Sequence, residues 1–360
     1  MMKTGLRMYT LIMAIASLSF CCSGNKATEG SAEETYIVDI NKATNDISLV
    51  FSQIDVLTLQ ENEDNLIGEV NKIVISDQYI YVLDSWKSKA LFVFDKDGAF
   101  IRAFDALGTG AGEFVSPDDF QIDNDLRQII ILDKNSRKLL FYDLDGDFIR
   151  DIKLDYFVNS FILYQDDKII LDRGNYISDN TDEYLAIISK KEGKTLQTLF
   201  PRDKVLENMT FSPFNPLTKI SDTILYLPPM NSAVYEVHQD LYKQKYAFNF
   251  GRLWPNNEEL EKLKDQHPMD IVKTLTKKGY VLFPNFLENR KHICLNFTVD
   301  NKKIVAFFDK KNKKNIVVNW ESDQNDDLSL PITADENKFI CAKYSEQSPV
   351  KLLFLTLADF

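Results

Sequence analysis

Two stretches of the 360-residue sequence repeat the same pattern 48 residues apart. Residues 80–84 (IYVLD) and 91–102 (LFVFDKDGAFIR) correspond to residues 129–133 (IIILD) and 140–150 (LFYDLDGDFIR). Periods of this size are typical of propeller blades, in which each repeat is one supersecondary unit that packs against its neighbours. The repeat therefore predicts a ring or array of similar units.

Within each unit, apolar runs and turn residues alternate in the order expected for an antiparallel sheet. One apolar run ends at aspartate, a short polar loop follows, and a second run meets Asp-x-Asp-Gly before a third. A glycine-containing turn between apolar runs is typical of a β-hairpin. With one preceding strand, such as residues 70–75, the unit makes a four-stranded antiparallel blade.

The spacing continues through the rest of the chain. Gly193 lies 47 residues after Gly146, residues 233–237 begin the equivalent strand one unit later, and further units fit 291–320 and 328–357. The predicted blades start near Glu69, Phe114, Phe157, Phe211, Pro284 and Leu328. The fold predicted for residues 35–360 is an all-β, six-bladed β-propeller.

The last unit has three evident strands, and residues 54–60, upstream of the first blade, can supply its outer strand. This pairing closes the ring and removes an open sheet edge. The alternation of Ile54, Val56, Leu57 and Leu59 predicts that several of these side chains are buried. Deleting residues 54–60 is expected to unfold the domain, whereas deleting residues 23–34 is not.

The units resemble NHL repeats, which have the order strand, Asp, polar loop, basic residue, strand, Phe/Tyr-Asp-x-x-Gly-x-Phe. They resemble in particular the six-bladed propeller lipoproteins of Bacteroidetes-type bacteria, as does the link at residues 108–114 (GTGAGEF). The resemblance is strong over residues 66–150 and weaker afterwards. It implies a propeller attached to a bacterial cell envelope.

One segment departs from the strand pattern. Residues 255–264 (PNNEELEKLK) and 269–275 (MDIVKTL) have helical spacing, asparagine caps and an intervening His267-Pro268. We expect a helical insertion over residues 255–278, between blades four and five, on the face that carries the links between blades.

The N-terminus has the three parts of a bacterial signal peptide. Residues 1–7 include two basic side chains, residues 9–20 are apolar and too few to span a bilayer, and Cys21-Cys22-Ser-Gly follows. Residues 18–21 (LSFC) resemble a lipobox, so Cys21 is the predicted lipid acceptor and Cys22 the alternative. We expect a signal peptide at 1–20, a lipidated tether at 21–34, and a location on the periplasmic or cell-surface face of the outer membrane.

The charge of the chain restricts its partners. Removing Lys3 and Arg7 with the signal peptide changes the formal charge from −12 to −14. So acidic a surface repels nucleic acid and anionic headgroups, so we expect no nucleic-acid partner and membrane contact through the lipid anchor alone. Cys294 and Cys341 lie 47 residues apart on equivalent strands of adjacent blades, which diverge, and both are predicted to be reduced.

Candidate site residues follow from the geometry of a blade. The links between blades and the loops between second and third strands share one face, so strand ends there point at a common rim. Asp84, Asp133 and Asp172 recur at corresponding strand ends, where they form either a carboxylate ring or caps for loop N–H groups. The residues on these loops that differ between units are Trp86, Lys87, Asn135, Arg137, Arg173, Asn175 and Tyr176.

Aromatic and arginine side chains on one rim favour stacking and hydrogen bonding to a glycan, a peptide or an envelope protein. The leading hypothesis is a binding or scaffold module without a cofactor or metal, since the three histidines lack metal-ligand spacing. The alternative is a glycan lyase or hydrolase that uses Asp84, Asp133, Arg137 and Arg173 at the central funnel. Two neighbouring carboxylates with raised pKa would favour the enzyme.

Overall fold

The computed structural model describes residues 34–63, 65–174, 182–206, 209, 212–238, 240–321, 328–345 and 348–360. In these residues 25 strands form six sheets, which confirms the predicted six-bladed β-propeller of four-stranded antiparallel blades. Among the same residues, no helix has the length and apolar character needed to cross a membrane.

Two strands precede the first blade: β1 (Glu34–Ile37) and β2 (Phe51–Thr58). Blade one contains β3 (Lys72–Ile75), β4 (Tyr79–Asp84), β5 (Ala90–Asp95) and β6 (Phe100–Phe104). Blade two contains β7 (Asp119–Asp123), β8 (Gln128–Asp133), β9 (Lys138–Asp143) and β10 (Phe148–Lys153). Blade three contains β11 (Ser160–Tyr164), β12 (Lys168–Asp172), β13 (Glu183–Ser189) and β14 (Thr195–Pro201).

The second half of the ring follows the same order. Blade four contains β15 (Leu217–Ile220), β16 (Thr223–Tyr226), β17 (Ala233–His238) and β18 (Leu241–Asn249). Helices α1 (Asn257–Glu261) and α2 (Pro268–Lys277) come next. Blade five contains β19 (Leu282–Glu288), β20 (His292–Val299), β21 (Lys302–Asp309) and β22 (Asn315–Asn319). Blade six combines β23 (Thr333–Asp335), β24 (Lys338–Ser345) and β25 (Ser348–Leu357) with β2.

The first strand of each blade faces the axis of the ring, where these strands line a central channel. Buried side chains between adjacent blades form apolar clusters at each of the six blade contacts that the described residues make, including that of blade six with blade one. The core is therefore distributed around the ring. The links and the loops between second and third strands lie on one face, termed the link face, and the hairpin turns lie on the other, termed the hairpin face.

The Asp-x-Asp-Gly turns have the same geometry in blades one and two. One carboxylate oxygen of Asp95 accepts hydrogen bonds from the N–H groups two and four residues on, at 2.9 and 2.8 Å. Asp143 does the same at 2.9 Å for both. Gly98 and Gly146 adopt φ of 84° and 99°, which favours glycine. The aspartate and the glycine thus make the hairpin turn that the sequence predicts.

Residues 34–58, termed the N-terminal strap, run around the outside of the last three blades. β1 pairs in parallel with β18 as a fifth strand of blade four. Thr44 forms a parallel bridge to Val318 on the outer strand of blade five, and β2 pairs antiparallel with β25. Tyr36, 1 % exposed, packs its ring 5.1 Å from that of Phe308. The sequence prediction did not include β1, whose first residue it assigned to the tether.

The strand that closes the ring is Phe51–Thr58, three residues earlier than predicted. Its buried contacts lie at its two ends, since Phe51 is 7 % exposed and Leu59, just beyond the strand, is fully buried. The prediction that this strand buries its alternating aliphatic side chains is wrong for Ile54 and Val56, which are 41 % and 58 % exposed. Blades diverge towards the rim, so the middle of an outer strand has no neighbouring blade to pack against.

The helical insertion is confirmed, and it lies on the link face. Asn256 caps α1 by accepting the Glu259 N–H at 2.9 Å, and Pro268 begins α2. The buried side of the helices, including Ile271 and Leu275, packs on the link between blades three and four and on Met230 between the second and third strands of blade four. Burial of this apolar side fixes the insertion against two loops of the same face.

Cys294 and Cys341 are both free thiols, as predicted. Each is fully buried, and both belong to the apolar cluster between blades five and six.

Candidate functional site

Asp84 holds the link before blade one against the loop that follows β4. One carboxylate oxygen accepts the N–H groups of Gly68 and Glu69, at 2.9 and 3.0 Å. The other accepts those of Trp86 and Lys87, at 3.2 and 2.8 Å. The side chain is fully buried, so its oxygens act inside the loops.

Asp133 and Asp172 occupy the equivalent positions and are also fully buried. Asp133 accepts the N–H groups of Val115 and Ser136, at 2.7 and 3.0 Å. Asp172 accepts the loop N–H of Gly174 at 3.2 Å, the side-chain N–H of Asn159 at 2.9 Å and the hydroxyl of Tyr226 at 3.2 Å. Burial raises the pKa of Asp172. The recurring aspartates thus cap loops, the second of the two roles that their repetition suggested.

Three other candidates, Trp86, Lys87 and Asn135, are exposed on the link face. Trp86 is 68 % exposed and lines the smaller compartment of the mouth described below.

The two arginines join the loops of blades two and three to neighbouring aromatic rings. The guanidinium of Arg137 lies over Phe157 at 4.3 Å from its centroid, and that of Arg173 lies over Tyr156 at 4.7 Å. Arg173 is only 2 % exposed. Asn175, Tyr176, Cys21 and Cys22 lie outside the described residues, and the binding role of all nine loop residues stays a prediction.

On the link face the central channel opens into a mouth with two compartments. The smaller, about 200 Å³, is bounded mainly by blades one to three, through residues such as Asn71, Lys72, Asp118 and Asn159. The larger, about 670 Å³, is bounded by blade five and by the links that precede blades one, four and six. Its lining includes Val70, Phe283, Asn285, Asn296, Phe297, Leu330 and Ile332.

Residues 212–215, from the link between blades three and four, line both compartments. Phe214 in this segment is 67 % exposed. Together with Trp86 it presents an aromatic surface beside polar walls. Below the mouth, a cavity of about 200 Å³ in the channel is lined by the first strands of all six blades.

Several buried polar atoms face the mouth and channel without a hydrogen-bond partner among the described residues. In the mouth these are Ser85 Oγ, Ser160 Oγ and Asn296 Nδ2, on side chains 8 %, 7 % and 4 % exposed. In the channel they are Thr218 Oγ1 and Glu288 Oε2. Buried polar groups are nearly always paired with protein or solvent, so these atoms are available to water or to a ligand.

The charged groups of the smaller compartment are largely paired with each other. Lys72 donates to Asp119 at 2.6 Å and to the carbonyl oxygen of Phe120 at 2.9 Å. The second oxygen of Asp119 accepts the Phe161 N–H at 3.0 Å. This arrangement ties the first strands of blades one, two and three together at the mouth.

Burial raises the pKa of the Asp118 carboxyl group, although the charge of Lys134 opposes the shift. One oxygen accepts the Lys134 N–H at 2.9 Å. Among the described residues, no three His, Cys, Asp or Glu side chains gather in a geometry that holds a metal.

A family model described as a 6-bladed beta-propeller matches residues 25–342. The chain belongs to the DUF5128 family. Membership and structure agree on the number of blades. Neither the family match nor the structure tests the resemblance to NHL repeats or the lipidation of the N-terminus, and both stay predictions.

Two solved structures share this architecture. A "putative exported protein" from Bacteroides fragilis NCTC 9343 aligns with a TM-score of 0.76 and 17 % identity, over 91 % of this chain and 99 % of the other. A member of the duf4221 family from Bacteroides vulgatus ATCC 8482 aligns with a TM-score of 0.57 and 10 % identity, over 86 % and 97 %. At these identities the likeness concerns the fold. No curated protein matches this DUF5128 member significantly.

The sequence prediction placed the site on the loops after the second strands, and it missed the residues just before the first strands. Asn71, Asp118 and Asn159 occupy this equivalent position in blades one to three, each donating its backbone N–H to a carbonyl at the end of the second strand. A short polar residue before the first strand of each of these three blades was visible in the sequence and is the signal that identifies them. Asn296 and residues 212–215 gave no comparable signal.

Proposed function

We propose that the chain is an exported, lipid-anchored envelope protein whose link-face mouth binds a glycan. The N-terminal pattern with Cys21 or Cys22 supports export and anchoring, and a structural neighbour is itself described as exported. The observation that carries the binding site is the set of unpartnered buried polar atoms beside exposed aromatic rings in the mouth.

The chemistry of the lining favours an uncharged, hydroxyl-rich ligand over a charged one. Lys72 is paired with Asp119 at 2.6 Å, and Lys303 in the larger compartment is paired with Glu321 at 3.1 Å. Apart from Glu69, Asp118 and Lys134, the polar groups left to recognise a ligand are amides and hydroxyls. Exposed Trp and Phe rings add flat apolar surfaces for stacking, a combination suited to sugar rings. A peptide remains the second ligand class, since amide groups recognise a peptide backbone equally well.

The size of the mouth is compatible with a short oligosaccharide. Ligand pockets usually enclose about 300–1,000 Å³, and the larger compartment alone has about 670 Å³. Because residues 212–215 border both compartments, a ligand in either compartment is expected to lie beside Phe214.

The test is binding of a panel of neutral and acidic oligosaccharides and short peptides, followed by substitution of the mouth. Trp86→Ala and Phe214→Ala are expected to weaken glycan binding by about tenfold or more, since aromatic anchors that a ligand covers often contribute about 1.4 kcal/mol or more. Leu126→Ala changes an equally exposed side chain on the hairpin face, at 55 % exposure, and should leave affinity unchanged. Selective binding of peptides, or glycan binding insensitive to both aromatic substitutions, would contradict the proposal.

One observation favours the alternative of a glycan-active enzyme. The oxygens of Asp84 and Asp133 accept hydrogen bonds from loop N–H groups and are not available for acid–base chemistry. The candidate general acid is instead Asp118, whose pKa is raised by burial. Product formation from the bound glycan, abolished by Asp118→Asn with affinity retained, would establish this activity. If the glycan binds without product formation, and if Asp118→Asn does not change its affinity, the protein is a binding module and not an enzyme.

A further inference from the structure

We propose that the hairpin face lies towards the membrane and that the ligand-binding mouth points away from it. The inference rests on the lipid anchor proposed above and adds to it the orientation of the propeller. It is carried by the direction of β1 and by the charge of the surface that β1 adjoins.

The direction of β1 follows from its pairing. β18 is the outer strand of blade four and runs from a hairpin turn to the link that precedes blade five, so it runs towards the link face. β1 is parallel to it, from Glu34 opposite Tyr246 to Ile37 opposite Asn249. The chain therefore joins the propeller from the hairpin side. Glu34 pairs there with Lys313, which belongs to a hairpin turn of blade five.

The tether is short enough for this direction to matter. Cys21 precedes Glu34 by 13 residues, and a chain of that length reaches at most about 45 Å. Glu34 lies opposite Tyr246, three residues before the end of β18. To bring the mouth to the bilayer, the tether would have to reverse its direction at Glu34 and pass the last residues of β18, whereas the opposite orientation needs no reversal.

The surface beside Glu34 is rich in basic side chains, although the chain as a whole is acidic. The hairpin turns of blade five contain Arg290, Lys291, Lys310, Lys311, Lys313 and Lys314. Acid partners neutralise three of these, through Arg290 with Glu336, Lys310 with Glu288 and Lys313 with Glu34.

Lys291, Lys311 and Lys314 are exposed, and the described residues provide them with no ion pair. Asp309, next to them, accepts the Lys311 and Asn312 N–H groups at 2.7 and 2.9 Å. Three free ammonium groups beside the point where the tether meets the propeller fit the phosphates of anionic headgroups, an attraction that salt screens beyond about 8–10 Å. This contact would add to the lipid anchor, which was predicted to be the sole membrane contact.

The experiment measures energy transfer from a dye on either face to acceptor-labelled headgroups. The full chain is produced with its own N-terminus, the lipidated cysteine is identified by mass spectrometry, and the other of Cys21 and Cys22 is replaced by serine. Dyes are attached to Asn312→Cys on the hairpin face or Lys302→Cys on the link face of the same blade. The eight residues of β21 separate these sites, a height of about 25 Å. Cys294 and Cys341 are fully buried and do not compete for the dye.

In vesicles of phosphatidylcholine and phosphatidylglycerol, transfer from position 312 is expected to exceed transfer from position 302. Replacing Lys291, Lys311 and Lys314 with glutamine should narrow that difference on these vesicles and leave it unchanged on pure phosphatidylcholine. Equal or greater transfer from position 302 in a lipidated chain would overturn the orientation alone, and an unchanged difference would overturn the role of the lysines. A chain that carries no lipid would refute the anchor and the orientation with it.

Discussion

The closure of the ring depends on the two ends of β2, and substitutions along this strand test that dependence. Phe51 packs its ring 5.7 Å from that of Phe307 and 6.5 Å from that of Trp320, between blades five and six. Leu59 is fully buried in the cluster between blades six and one. Truncating a buried Leu or Phe to Ala typically costs about 2–5 kcal/mol. Against a total stability of about 5–15 kcal/mol, either loss is large.

The expected shift in melting temperature follows from chain length. At about 2.1 cal/mol/K of unfolding entropy per residue, a propeller of roughly 320 residues loses about 1.5 °C for each kcal/mol, so a loss of 3 kcal/mol lowers Tm by about 4–5 °C. Phe51→Ala and Leu59→Ala are measured by thermal and urea unfolding. Tryptophan fluorescence is a suitable probe because Trp320 is 1 % exposed and adjoins Phe51.

Ile54→Ala and Val56→Ala are the matched controls, since both side chains belong to the same strand and are largely exposed. Each is expected to change stability by about 0.5 kcal/mol or less. If these two substitutions destabilised the protein as much as Leu59→Ala, the strand would be held along its whole length, and the reasoning from its ends would be wrong.

Three further predictions concern single side chains. Gly98→Ala should destabilise more than Gly146→Ala in urea unfolding, because both replace left-handed glycines but only the first places a Cβ 2.3 Å from a carbonyl oxygen of β2; equal effects would contradict this. Burial lowers the pKa of His292 in the folded protein. As pH falls below about 6.5, this imidazole therefore becomes protonated in the unfolded chain before it does so in the folded protein. Stability should therefore fall from pH 7.5 to 5.5, and less steeply in His292→Asn, whereas parallel profiles would exclude this residue. Burial raises the pKa of the Cys294 and Cys341 thiols, so neither should react with a thiol reagent at pH 8 until the protein unfolds; rapid reaction of the native protein would show that a thiol is accessible.

The fold was predictable from the sequence because its information is local and repeated. The aspartate and glycine of each turn act within five residues, as the contacts of Asp95 and Asp143 show. The helical insertion was equally local, with a cap at Asn256 and an apolar side on α2. β1 was missed because four residues with one buried side chain carry almost no periodic signal. Its pairing partner lies more than 200 residues away.

The site was less predictable because it is assembled by the ring and not by any one blade. Repetition identified Asp84 and Asp133, but it could not show that their oxygens are used inside the loops. Asn296 faces the mouth because the second strand of blade five borders the larger compartment, a placement that no local pattern contains. Residues 212–215 contribute through the path of an irregular link, which depends on the blades on either side.

The N-terminal strap also affects how the ring reaches its native topology. Pairing Phe51 directly with Leu357 closes a loop of roughly 300 residues, but the strap first meets β18 and then the strand of Val318, in the order in which a ribosome makes them. Once Thr44 is paired, the remaining closure spans roughly 45 residues, and its entropic cost is lower by about 1.7 kcal/mol. The strap thus divides one closure of very high contact order into three shorter ones, so the last blade to be synthesised finds its outer strand already held beside it.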